Sequence, residues 1–147
     1  MNHDPVFEFS EHFDGEFLRR MSGDNIKNIL AIFEKDYSVV SDLIKTTQTC
    51  MELADWMEAV RNIHRLKSAF FNLRNKALSE ELRKLEHRIF RAVFLSLPDD
   101  ESAFSPEASD IIASFHRMQL EILAHLPIIH AEIDRMHVYL SHPQRGR

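Results

Sequence analysis

Apolar residues recur along most of this chain at the three-and-four spacing of helix faces, in blocks separated by short polar punctuation. Ile26, Ile29, Leu30, Phe33, Tyr37, Val40 and Ile44 share one face of a long amphipathic helix. Asp24 is placed to cap its start, and the threonine-rich run 46–49 weakens its far end. A short helix is expected before it, from about 14 to 21, closed by Ser22 and Gly23. A third helix is predicted over about 52–74. A fourth is predicted over about 79–96, with Ser79 as N-cap and Leu82, Leu85, Ile89 and Val93 as its stripe. Pro98 to Glu101 reads as a loop, and Ser105-Pro106 opens the last helix with a capping residue followed by a first-turn proline. That helix carries Ile111, Phe115, Met118, Ile122, Ile129, Ile133, Met136 and Leu140 inward. Pro127 interrupts the pattern, removing one backbone bond and crowding the preceding turn, so a kink or break is expected near 123–127. Phe7 and Phe9 lie in an aperiodic N-terminal stretch, expected to be a tail packed by its aromatics, and Pro143 and Gly146 mark a second tail.

The expected architecture is all-α: an antiparallel four-helix bundle with an extra short N-terminal helix and a long proline-interrupted last helix. One domain is expected over 1–147, with its core at about 14–141. Composition agrees. The chain has 147 residues, 44% hydrophobic and 28% charged, with only 3 Gly and 5 Pro, too few for the many turns of an all-β fold. A net charge of -5 and the lack of a basic stripe argue against nucleic acid as a partner. The single cysteine, Cys50, cannot form an intrachain disulfide and reads as a small half-buried apolar residue. Acidic residues interrupt the opening segment, and no uncharged apolar run approaches about 18 residues. A cytoplasmic protein with no membrane partner is expected.

The third helix departs from ordinary amphipathicity. Trp56, Ala59, Ile63, Leu66, Phe70 and Leu73 make one core face. Leu53, Met57, Val60, His64, Lys67, Ser68 and Phe71 make a second, apolar at its ends and polar at its centre. A surface face should be mainly polar. This one is covered by another segment such as the N-terminal helix, or it is a recognition patch around an imidazole, or both hold with cover at one end and exposure at the other.

A neutral imidazole is a good nucleophile near pH 7. Lys67, three residues on, shares the face of His64 and can reach a phosphoryl group carried there. Ser68, four residues on, is small enough to leave the imidazole accessible. No glycine-rich phosphate loop is present, so the chain would supply an acceptor and not a kinase.

The string Ile63-His64-Arg65-Leu66-Lys67-Ser68-Ala69-Phe70-Phe71-Asn72-Leu73 resembles the signature of histidine-containing phosphotransfer (HPt) domains, His-x-Leu-Lys-Gly followed by small or apolar residues and often Asn-Leu-Gly. Leu78, Leu82, Leu85 and Glu86 look like that family's next helix, and Ile29, Leu30 and Phe33 like its preceding one. The likeness covers about residues 15–97. Ser68 stands where glycine is most usual, Ile63 replaces a common alanine, and Arg74 stands where glycine often ends the pattern. The resemblance implies that His64 is the phosphoacceptor and Lys67 supports the phosphate. It implies docking through Met57, Val60, Arg65, Ser68 and Phe71. The implied partners are receiver domains of response regulators or hybrid sensor kinases. It implies no resident cofactor, with Mg2+ only on the receiver, and usually a monomer.

Three other readings compete. An adaptor bundle would keep the fold and docking face without phosphorylating His64. A metal-binding bundle would use pairs such as Glu121/His125, His130/Asp134 and Asp134/His137, but no Glu-x-x-His occurs and the last helix's core stripe shows no carboxylate. On this reading of the pattern His116, His125, His130 and His137 lie on polar or boundary positions. The dimerisation bundle of a sensor kinase carries an acid beside its histidine, where this chain has Arg65, and no nucleotide-binding domain follows within these residues.

Overall fold

The computed structural model describes residues 6–23, 25–73, 75–94 and 106–142. Among them the chain is all-helical: α1 (Gly15–Ser22), α2 (Ile26–Glu52), α3 (Trp56–Asn72), α4 (Lys76–Ile89), a π-helical turn over Phe90–Phe94, and α5 (Pro106–Leu140). α2 packs against α3 and α5, and α4 packs against the same two. α3 and α5 scarcely meet, so they lie on opposite sides of the packed group. No helix among these residues is long and apolar enough to cross a membrane.

Four helices begin on an Asp or Asn side chain that accepts a backbone N–H three residues on: Asp14 from Phe17, Asn25 from Asn28, Asp55 from Glu58 and Asn75 from Leu78. These caps satisfy donors that the first turn leaves unpaired, each worth about 1 kcal/mol. They correct two sequence expectations. Asn25 caps α2 (Asp24 lies outside the described residues). α4 starts at Lys76, because Leu78 is buried and extends the apolar stripe one turn earlier. Ser79 is therefore inside α4, where its hydroxyl donates to the Lys67 carbonyl.

The threonine run does not weaken α2. The hydroxyls of Thr46, Thr47 and Thr49 each donate to the carbonyl four residues back, and the helix runs on to Glu52. α3 begins at Trp56, four residues later than expected, because Glu52 still belongs to α2. Ala54 takes a left-handed φ of 58° to turn the chain between them. Gly23 takes the same conformation to close α1.

Pro127 does not break α5, which is helical across all 35 of its residues. The proline is exposed, so its ring and the carbonyl it leaves unpaired lie on the outer side. Ile122, Ile129 and Ile133 stay buried on either side of it. The loop expected at 98–101, the capping Ser105 and Arg74 lie outside the described residues.

The core is one continuous cluster, with Phe33, Phe70, Phe115, Ile63, Leu66 and Leu82 among its fully buried members. The N-terminal stretch is packed by its aromatics. Phe7 meets Tyr139 edge-on, and Phe13 meets Phe33 and His125. It is also pinned to α5, since the Ser10 N–H donates to Glu132 Oε2 at 2.7 Å and Arg135 donates to the Glu8 carbonyl at 2.7 Å. Glu132 is a fully buried carboxylate on α5, which the sequence pattern had not shown there. His125 likewise is not a boundary residue. It is buried between Phe13 and Phe70 and hydrogen-bonded to the Asn75 side chain.

Candidate functional site

α3 presents the face singled out in the sequence. Its inner side is fixed by Trp56, Ala59, Ile63, Leu66 and Phe70, all buried, and this sets the direction of the opposite flank. Leu53 is 75% exposed and Met57 57%, with Phe71, Arg65 and Ser68 also exposed. The N-terminal helix does not cover them; it packs on α2. Val60 is half-buried against the core and forms the floor of the face.

His64 stands at the centre with its side chain 60% exposed. Its Nδ1 lies 2.8 Å from Glu86 Oε2 on the neighbouring α4. Lys67 Nζ donates to the other oxygen of the same carboxylate at 3.0 Å. One acid thus ties the imidazole and the ammonium together, with both Glu86 and Lys67 largely shielded from water. An ionised carboxylate only accepts hydrogen bonds. A neutral ring that donates to this carboxylate carries its proton on Nδ1, which leaves the lone pair on Nε2.

Beside this triad a groove of about 400 Å³ runs between α3 and α4, lined by Lys67, Ser68, Phe71, Asn72, Ser79 and Arg83. Arg83 is held by both oxygens of Glu80. The small Ser68 leaves the approach to His64 open from this side.

Met57, Val60, Ser68 and Phe71 therefore share one flank of α3 with His64 and Lys67, while Arg65 is exposed further round the helix, about 100° from His64. Lys67 is more enclosed than its sequence position suggested, because α4 closes over it. Glu86 is the residue whose role sequence reasoning missed. It lies 22 positions from His64, and no linear spacing connects them. The recoverable signal is that Glu86 directly follows the buried Leu85, on the edge of α4 that must pack against α3.

The histidine–acid pairs considered for metal binding do not converge. His130 Nδ1 lies 3.2 Å from Asp134, and His137 pairs with Glu34 of α2. Among the described residues no group of three or more His, Cys, Asp or Glu could hold a metal ion. Compared with family models, with curated proteins and with solved structures, the chain matches none.

Proposed function

We propose that this chain is a histidine phosphotransfer protein of a multistep phosphorelay: an antiparallel four-helix bundle with an extra N-terminal helix, acting in the cytoplasm as a phosphoryl carrier without a nucleotide site of its own. The observation that carries the reading is the His64–Glu86–Lys67 arrangement, an exposed imidazole whose Nδ1 is held by a carboxylate that also binds the neighbouring ammonium.

A receiver domain docks on the face of Met57, Val60, Arg65, Ser68 and Phe71, burying about 1,200 Å², the small end of specific interfaces. The Nε2 lone pair attacks the phosphorus of the receiver's aspartyl phosphate. The new N–P bond forms as the P–O bond to the aspartate breaks, and the carboxylate leaves with the bonding pair. Positive charge developing on the ring is offset by Glu86 through the retained Nδ1–H. Lys67 supports the incoming phosphoryl oxygens. The step reverses on a second receiver. Mg2+ belongs to the receiver.

The test is incubation with a phosphorylated receiver domain, followed by assay for acid-labile, alkali-stable phosphate. Label on the wild type and none on a folded His64→Gln variant supports the carrier. Absence of label across a panel of receivers would overturn it in favour of an adaptor that uses the same face unphosphorylated.

A further inference from the structure

The outermost line of α5 is the one an amphipathic helix should fill with charge. Here its centre is Leu120, Ala124, Pro127 and Ala131, all exposed, with Leu120 at 71%. The spacing is alternately four and three residues, the heptad seam of paired helices. The same spacing reaches Ala113 at one end and Val138, 63% exposed, at the other. Only two charged residues lie on the line: Arg117 one step before the apolar centre, and Asp134 one step after it.

Those two charges are opposite in sign and equidistant from the midpoint of the line, between His125 and Leu126. We infer that this line is a self-association surface, on which α5 of a second copy packs antiparallel about a two-fold axis at that midpoint. In this register Arg117 of each copy faces Asp134 of the other, Leu120 faces Ala131, and Ala124 faces Pro127. A parallel pairing sets like charge against like at both ends, and antiparallel pairings shifted by a heptad bring Asp134 against Ala124 with Arg117 against Ser141, or Arg117 against Pro127 with Asp134 against the like charge of Asp110. The charge pattern thus selects one occupant and one register. Small residues at the centre let the backbones approach closely, and from Ala113 to Val138 the seam runs about 37 Å at the α-helical rise.

Present local contacts do not oppose this. Arg117 donates to Ser114 Oγ and Asp134 sits beside His130, both within α5. α5 lies opposite α3, so the pairing leaves both His64 faces outward. The inference is independent of the function proposed for His64, and it replaces the monomer that the family resemblance implies.

Sedimentation analysis of the full chain, from micromolar to several hundred micromolar, tests it. A mass rising from 17.3 kDa towards twice that value is expected. Arg117→Asp and Asp134→Arg should each weaken the dimer about tenfold or more, since each sets like charges together twice. The double variant should restore it. Leu120→Arg should give a monomer with unchanged helicity. A wild type that stays at 17.3 kDa throughout, or a dimer indifferent to all these changes, would overturn the inference.

Discussion

Glu86 Oε2 lies 2.8 Å from His64 Nδ1, so a carboxylate on α4 decides which nitrogen of an exposed imidazole on α3 is free to react. Replacing it by Gln keeps the shape but lets the side-chain amide donate to Nδ1, which favours the opposite tautomer. A hydrogen bond to a charged group is worth about 1.5–3 kcal/mol, so Glu86→Gln should slow phosphoryl transfer about 10- to 100-fold. Nitrogen-15 NMR of the ring reports the tautomer directly. An unchanged Nδ1–H population in Glu86→Gln would remove Glu86 from this role.

Asp36 should make the protein less stable as pH rises. It is buried within α2 with Oδ2 unpartnered. Burial pushes its pKa up to about 6, against the smaller opposing effects of the Asn72 hydrogen bond and Lys35. The fold therefore binds this proton more tightly than the unfolded chain does. Its stabilising contribution is full below the ordinary value of 3.8 and is lost as pH rises through about 6. Asp36→Asn should gain on the order of 1–3 kcal/mol at pH 8 and little at pH 4. Urea unfolding at the two pH values checks this, and a variant weaker than wild type at pH 8 contradicts it.

His125 acts in the other direction. Burial, with a smaller contribution from nearby His12, holds its pKa below the ordinary 6.5. The neutral ring suits the fold, so this contribution is full above 6.5 and drains away as pH falls below it. Asp36 opposes the effect in the same range, so the comparison must be between His125→Gln and wild type. The variant's deficit in unfolding free energy should shrink from pH 7.5 to pH 5.5. A constant deficit would assign His125 a packing role alone.

Pro127→Ala should stabilise the chain by about 1–3 kcal/mol, because it restores a backbone hydrogen bond and its ring is exposed. Unfolding measured at low protein concentration, where chains do not pair, reads this effect. Loss of stability there would mean that the ring makes a contact within the protomer.

Much of this was legible in the sequence. The two faces of α3 follow from a period of 3.6, and that period puts Met57, His64, Ser68 and Phe71 outside and Ile63, Leu66 and Phe70 inside. The helix starts were less legible, because Ser79 and Asp24 are as good capping residues as Asn75 and Asn25. Only the burial of Leu78 decides the first case. Intrinsic propensity argues against helix at the threonine run and at Pro127, and burial of Thr47 and of the isoleucines around Pro127 overrides it. Glu86, Glu132 and His125 were invisible in their roles for one reason. Their partners are His64 on a different helix, the Ser10 backbone in the N-terminal stretch, and Asn75 in a cap, and no local spacing encodes such meetings.

The helices are unequal: α2 has 27 residues and α5 has 35, against 17 in α3 and 14 in α4. The long pair therefore overhangs the short pair, and the bared length is where Phe7, Phe13 and Leu18 lie down. Residues 6–22 serve as a splint that completes a layer which α3 and α4 are too short to supply. His125 marks the joint, touching Phe13 of the splint and Asn75 of the α3–α4 turn. Lifting the splint would strip one end of the molecule, while His64, at mid-helix and braced from α4, keeps its support. The bracing of His64 thus comes from Glu86 and the α3–α4 seam, whereas the splint's own contacts fall on α2 and α5.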